Sequence, residues 1–394
     1  MAVVAICWEM GANFGHLCRT LTIAKVLQSR GHAVKAVVPD LGTAARLFHG
    51  VADVFQSPIV KLPQRRINHP SNYSHLLFNC GFQDADDLTS RVLGWSNLIR
   101  AINPSLVIVD HGPTVALGLR AFKDIPYCVV GHGFDCPPHD RNWPIIREGV
   151  LAHPEFMAEV DQHLLDCVNQ CAERVGFASL LQTSDLFQKA NGRFLLTYQE
   201  LDPYRRPSSE KYWGLIDSQF GDEVDWGNGA GKRIFAYLRH SDEFEGQIEV
   251  LSAKTDSAIV ASPNCPVAIV AWAKSKNVEI LTQPVAIPHL LQHCDLTVSY
   301  GGHGMVALAL LHGVPLVLVP ETLDQELTSR RAEEFGAALL VPRASSCDDL
   351  GSAINTVLNE GSYLNSAKKF ANAYSAFDPN NVTVLVDKME ALMN

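Results

Sequence analysis

The chain has 394 residues, more than one hydrophobic core usually holds, so two domains are expected. Apolar residues make up 47% and charged residues 19%, which describes a globular protein with a large core and excludes a disordered chain. A formal net charge of −10 and a pI near 5.8 exclude duplex nucleic acid or an anionic membrane as the main partner, because either would need a basic face.

The opening MAVVAICWEM carries no basic leader, and no segment approaches the ~20 apolar residues of a membrane helix. No transmembrane segment and a cytoplasmic location are therefore expected. Ten cysteines are scattered, with only Cys167 and Cys171 close together, one helical turn apart. Neither a zinc site nor a disulfide framework is read from them.

Residues 2–8 form an apolar strand that runs into Glu9-Met10-Gly11-Ala12-Asn13-Phe14-Gly15-His16. A helix follows, with Leu17, Leu21, Ala24 and Leu27 at helical spacing and a stop at Arg30-Gly31; a second strand covers 33–38. The glycine spacing is not that of a dinucleotide fingerprint. His16, at the helix start, suits a base that takes a proton from a hydroxyl, and equally suits a packing or capping histidine. Residues 57–87 read as loop-rich, where substrate contacts usually vary. Asp84, Asp86 and Asp87 abut a helix over Leu88–Ile102 and read as first-turn acids, so no metal is expected there.

Residues 106–110, LVIVD, form a buried strand ending in Asp110. That carboxylate can orient a histidine or cap the next helix. A strand at Tyr127–Val130 leads into Gly131-His132-Gly133-Phe134-Asp135-Cys136-Pro137-Pro138, which should line the acceptor side, with His132 as a second-choice catalytic residue; a long helix over Pro154–Val175 carries no evident chemistry. After a short strand at 194–197, the polar and Gly/Asp/Trp-rich stretch 204–232 reads as a linker. The domains are then 1–203, 233–375 and a terminal helical segment, 376–394.

The second domain restarts with a strand at 233–238, followed by Arg239, His240 and Ser241. A helix at Glu245–Lys254, strands at 257–261, 267–271 and 278–280, the loop Gln283-Pro284-Val285 and a short helix at Pro288–Cys294 precede the most informative stretch. This is TVSYGGHGMVALALLHGVPLVLVPETLDQ, residues 297–325. An apolar strand breaks at Gly301-Gly302-His303-Gly304, a helix follows, Gly313 and Pro315 end it, and a second strand leads to Glu321–Gln325. Glycines let the backbone approach a ligand, and the free amides of the helix start favour an anion. The same pattern also serves as a plain tight turn. Further elements are a helix after Gln325, a strand near 338–341, a helix at Asp348–Leu358 and a final helix at Val382–Met393.

The 297–325 stretch resembles the donor segment of the family 1 glycosyltransferases of the GT-B fold, H-x-G-G-x-G followed by G-V-P and P-x-x-x-D-Q. GHLCRTLTIAKVLQSRGH is similar to the opening of the same family, and PSLVIVDHGP to its central strand. The resemblance implies an α/β chain of two Rossmann-like domains facing each other across a cleft, with the C-terminal helix crossing back to the first. It implies His16 as catalytic base and Asp110 as its orienting acid. Donor contacts would come from Gly301, Gly302, His303, Gly304, Met305, Asp324, Gln325, Arg239, Val285 and Tyr300, and acceptor contacts from Asn13, Phe14, His132 and Phe134. Arg19 stands in place of a common proline, Tyr300 in place of the phosphate-contacting histidine, Met305 of a small hydroxyl residue, Leu308 of the ribose glutamate, and Thr328 of a common asparagine.

The expected function is an inverting, metal-independent transfer of a sugar from a UDP- or dTDP-sugar to a hydroxyl of a small-molecule acceptor, with no cofactor beyond that co-substrate. A nucleotide-sugar epimerase on the same fold would need further acids near the sugar. A non-catalytic binding or activator protein is the other alternative, suggested by Tyr300, Met305 and Leu308.

Overall fold

The computed structural model describes residues 1–11, 14–61, 63–138, 143–147, 153–207, 209–216, 221–227, 231–255, 257–342, 345–376 and 381–393. The chain divides into two units: Met1–Ser218 together with Asp378–Asn394, and Gln219–Phe377.

In the first unit the elements are β1 (Val3–Trp8), α1 (Phe14–Ser29), β2 (Ala33–Val38), β3 (Asp53–Gln56), α2 (Ala85–Ile102), β4 (Leu106–Asp110), α3 (Pro113–Leu119), β5 (Tyr127–Gly131), α4 (Pro154–Val175) and β6 (Gly192–Leu195). They build a parallel sheet in the order β3-β2-β1-β4-β5-β6. The central strands are unbroken apolar runs because both faces are covered. Val107 and Val109 face Trp95 and Leu164 on one side, while Ile6 and Ile108 join Leu21 and Leu27 on the other. Trp8 pairs with Asp110 in register, so β1 and β4 end at the same level.

The second unit contains β7 (Arg233–Tyr237), β8 (Ser257–Ala261), α5 (Val267–Ser275), β9 (Val278–Leu281), β10 (Leu296–Ser299), α6 (His303–Leu311), β11 (Leu316–Leu318), α7 (Leu323–Glu334) and β12 (Ala338–Leu340). Its parallel sheet runs β12-β11-β10-β7-β8-β9. Counted from its own first strand, this is the same 3-2-1-4-5-6 order as in the first unit. In such sheets the carboxyl ends of strands 1 and 4, where the order reverses, are the place for a ligand. Those strands are β1 and β4 in one unit, β7 and β10 in the other.

The terminal helix α8 (Asn381–Glu390) belongs to the first unit. Leu385 and Met389 are fully buried in the core that includes Leu21 and Leu27 of α1. Each buried side chain of this size contributes about 1.5–3 kcal/mol. Arg30 donates to Glu390, and the His32 ring lies 2.9 Å from the same carboxylate. The helix thus returns to the N-terminal region, as the resemblance implied.

Two expectations are corrected. Residues 267–271, read as a strand from their Val and Ile content, open α5 instead. Parallel β8 and β9 can be joined only by a crossover, and Pro266 at the N-cap sets the helix start. Residues 57–87 are not loop throughout: Asn72 caps a short helix, Tyr73–Leu77, by accepting from the His75 amide at 3.0 Å, and a π turn, Phe78–Phe82, follows. The acids at 84–87 do open a helix, with Asp84 accepting from the amides of Asp86 and Asp87 at 2.9 and 3.0 Å.

Candidate active site

In the first unit the loop after β1 is fixed from both ends. Buried Glu9 accepts from the Thr114 amide at 2.9 Å and from its hydroxyl, and the Met10 amide donates to the His111 carbonyl at 3.0 Å. Gly11 then has φ +93°, and a Cβ there would stand 2.4 Å from His16 Nε2. Only glycine lets the backbone pass this close to the ring. The indole of Trp8 stacks on the His16 ring, with centroids 4.9 Å apart and planes at 16°.

His16 Nδ1 lies 2.9 Å from Asp110 Oδ1. The carboxylate is fully buried, while the imidazole keeps 9% of its side-chain surface open. A third group joins them. Arg19, one turn along α1, donates from Nε to Asp110 Oδ2 at 2.8 Å and from Nη2 to Asp110 Oδ1 and to Asp135 Oδ2, the last at 2.6 Å. Around Asp135 stand His132, with Nε2 3.3 Å from Oδ2, and His111, with Nδ1 3.2 Å from Oδ1. The His111 nitrogen lies off the line a hydrogen bond needs, so both of its buried ring nitrogens lack a hydrogen-bond partner.

Burial opposes every charge in this cluster, and the mutual contacts decide the outcome. Burial drives the Asp110 carboxyl upward, but Arg19 and then His16 bring it below the usual range. Asp135 is likewise pushed up by burial and pulled well below that range by His132, Arg19 and His111. Burial lowers the Arg19 guanidinium, and the two carboxylates more than restore it, so it stays charged. His111 is governed by burial, which pulls it down to about 4 and keeps it neutral.

His16, His111 and Asp135 each offer a ligating atom within 4.8 Å of the others, a metal-like spacing. However, the two imidazole planes are nearly parallel, at 18° and 6.0 Å, and Asp135 already binds a guanidinium. Arg19 is the cation of this site. A cavity of about 590 Å³ lies beside α2, but its acids are committed: Asp84 caps the helix, Asp87 pairs with Arg91 at 3.1 Å, and Asp86 pairs with Arg174.

In the second unit, Gly301 follows β10 with φ +78°, and a Cβ there would meet Ser329 Oγ at 2.1 Å. Gly302 caps α6, whose first residues are His303, Gly304 and Met305. Neither Gly302 nor Gly304 has an atom near where a Cβ would stand. The first-turn amides of a helix such as this one suit an anion. Arg239, past the end of β7, pairs with Glu321 and lies over the Tyr300 ring, 5.5 Å from its centroid. Asp324 and Gln325 open α7.

Three donor-side residues are committed elsewhere. Tyr300 is buried and donates its hydroxyl to the Arg239 carbonyl at 3.2 Å. Gln325 Oε1 accepts from the amides of Glu321 and Thr322 at 2.9 and 3.1 Å as half of a capping box, which leaves its NH₂ for a ligand. Val285, beyond β9, forms a bridge with Asp222.

Among the acceptor-side residues, Asn13 lies outside the described residues and Phe14 opens α1. Phe134 packs edge-on against His111 and Tyr73. The loop carrying His132 and Phe134 is held by Arg206, which donates to Asp202 at 2.7 Å and to the Cys136 carbonyl. The first unit therefore gathers His16, Asp110, His132 and Phe134, and the second gathers Gly301–Met305, Asp324, Gln325, Tyr300 and Arg239. Sequence reasoning passed over Asp135, His111, Glu9 and Glu321, and saw Arg19 only as a departure. The available signals were position: Arg19 is i+3 from His16, His111 follows Asp110, and Asp135 is i+3 from His132.

Residues 268–392 match the family described as "Erythromycin biosynthesis protein CIII-like, C-terminal domain". "UDP-glycosyltransferase 2" of Phaeomoniella chlamydospora is 37% identical over 95 residues, 24% of this chain and 21% of that protein. "4'-demethylrebeccamycin synthase" of Lentzea aerocolonigenes is 34% identical over 149 residues, 37% and 34% of the two chains. The chain thus spans about a fifth to a third of the length of these curated relatives. The solved glycosyltransferase VinC in complex with DTDP superposes with TM-score 0.69 at 19% identity, covering 100% of this chain and 99% of that one. Likeness at that level shows the fold, which is GT-B. No helix among the described residues is long and apolar enough to cross a membrane.

Proposed function

We propose that this GT-B chain, whose residues 268–392 match the EryCIII-like C-terminal domain family, is a glycosyltransferase that moves a sugar from a nucleoside diphosphate to a small-molecule hydroxyl. The observation that carries the reading is the 2.9 Å contact between His16 Nδ1 and buried Asp110 at the reversal point of the first sheet. A histidine so oriented presents Nε2 as a base, and the carboxylate stabilises the imidazolium that forms.

Nε2 takes the proton of the acceptor hydroxyl, and the acceptor oxygen bonds to the anomeric carbon from the face opposite the leaving group. The bond to the diphosphate oxygen breaks with its electron pair, so configuration inverts. The amides of Gly302, His303, Gly304 and Met305 stabilise the charge growing on the diphosphate, a role that needs no metal. Asp324 and the NH₂ of Gln325 hold sugar hydroxyls. The thymidine diphosphate named with VinC and the uridine diphosphate named in the first relative make dTDP and UDP the nucleotides to try first.

The binding or activator reading is favoured by one observation, the commitment of Tyr300 and of Gln325 Oε1 to internal hydrogen bonds. Thermal unfolding with UDP, dTDP, GDP and ADP, and with their sugars, separates the two. A specific ligand at about 100 times its Kd adds about 2.7 kcal/mol. A shift with one diphosphate followed by transfer to an acceptor panel supports the enzyme; a shift without transfer to any acceptor favours the binding protein; no shift with any of them removes the donor site.

A further inference from the structure

The Arg19 guanidinium poses a counting problem. Its Nη2 carries two protons, and three acceptors lie within reach: Asp110 Oδ1, Asp135 Oδ2 at 2.6 Å and His16 Nδ1 at 2.7 Å. Its Nε is already spent on Asp110 Oδ2 at 2.8 Å. His16 Nδ1 either accepts from Nη2 or donates to Asp110 Oδ1, 2.9 Å away; it cannot do both. The first choice places the ring proton on Nε2 and removes the lone pair. The second leaves Nε2 free to act as a base.

We propose that Asp135 is a positioning residue that fixes the tautomer of His16 by drawing the second Nη2 proton of Arg19 away from Nδ1. With both protons committed to carboxylates, Nδ1 keeps its own proton and donates it to Asp110. Without Asp135 the spare guanidinium proton turns to Nδ1, and the ring proton moves through solvent from Nδ1 to Nε2. The catalytic consequence rests on the reading of His16 as the base.

Asp135 is held for this role. It is 1% exposed, and a Cβ on Gly131 would come within 2.5 Å of its own Cβ, so the loop fits only with glycine there. Arg206 pins the same loop through the Cys136 carbonyl. The other groups facing Asp135 are His111 and His132, and its charge also reaches the buried hydroxyls of Tyr73 and Tyr204. The arrangement also accounts for Arg19, which stands where the resembling family commonly has proline: a second buried carboxylate needs a cation, and the cation needs that carboxylate to keep it off the base.

The test is the ¹⁵N spectrum of the His16 ring near pH 8, read beside transfer kinetics. The wild type is expected as the Nδ1–H tautomer and Asp135→Ala as Nε2–H, with kcat down by up to about 10⁴-fold, the scale of a base held in the wrong tautomer, and KM little changed. In Arg19→Met/Asp135→Ala the Nδ1–H tautomer returns and transfer recovers above the Asp135→Ala level. Should Asp135→Ala not fold, Asp135→Leu serves: it fills the side-chain volume but offers no acceptor to the second Nη2 proton, so Nε2–H is expected there too. The wild-type tautomer persisting in Asp135→Ala, or in Asp135→Leu where that variant stands in, overturns the proposal. Tautomers that change as expected in a protein that transfers no sugar leave the proposal standing and remove the glycosyltransferase reading instead.

Discussion

The two units share one strand order and place their candidate sites at the same point of it, yet they build those sites from different material. At the ends of β1, β4 and β5 the first unit gathers side chains: His16, Asp110, Arg19 and Asp135, all buried. After β7 and β10 the second presents backbone: a glycine with φ +78° and the first-turn amides of α6. A buried charge cluster holds its geometry only while every partner is present. An amide site needs only the chain's path. The first therefore fails chemically when one side chain changes, and the second fails sterically.

The sharpest break is His16→Ala. It removes the base and should cut transfer by about 10²–10⁴-fold, while diphosphate binding in the second unit is retained. Calorimetric titration with the diphosphate beside initial-rate kinetics checks both halves; wild-type turnover would take His16 out of the mechanism.

Gly301→Ala breaks the other side. The added Cβ would meet Ser329 Oγ at 2.1 Å in a backbone conformation that L residues rarely adopt. A strained position of this kind costs about 1–3 kcal/mol, so donor affinity should fall about tenfold or more while the His16 spectrum is unchanged. Normal donor affinity would show that the turn does not hold the diphosphate.

A pH series sharpens the contrast. His111 is neutral in the folded first unit, with its pKa drawn down to about 4 from 6.5. Between those values the unfolded chain binds the extra proton, so stability falls as pH drops from 6.5 toward 4, by about 3 kcal/mol in all at 1.36 kcal/mol per pKa unit. The stability contributed by Asp110 and Asp135, whose pKa values are depressed, is present above the ordinary carboxylate range and is lost only at more acid pH. Hydrogen exchange at pH 7.5 and 5 should show protection dropping more in the first unit than in the second. His111→Phe should flatten that difference; an unchanged pH response in the variant assigns it elsewhere.

The smallest effect is expected from Arg239→Ala. Its pair with Glu321 is exposed, which limits the stability change to about 0–1 kcal/mol. A few-fold rise in the donor KM would mark a direct contact, and no change would leave Arg239 a surface partner of Glu321 and Tyr300.

The parts legible in the sequence were those where one residue's identity dictates a backbone path or a buried run. Gly301–Gly304, LVIVD and the His16 helix stand where they were read. The partners were not legible, because three-dimensional neighbours such as Arg19 and Asp135 are 116 residues apart. Gln325 shows the limit from the other side: it was read at the end of a polar turn, whereas it lies in the first turn of α7, and the capping box that occupies its carbonyl depends on the dihedral angles of Thr322. Residues 267–271 show how β-branched content misleads when the order of strands, a global property, decides the local structure.

The return of α8 to the first unit has a consequence for the order in which the protein can be made. The first unit's core includes Leu385, Val386 and Met389, so it lacks those side chains until residue 389 has been synthesised. The second unit, Gln219–Phe377, is complete in sequence before that. A chain growing from its N-terminus would thus complete the second unit before the first, and the α1 face that receives α8 would wait, apolar and uncovered, for α8 to arrive.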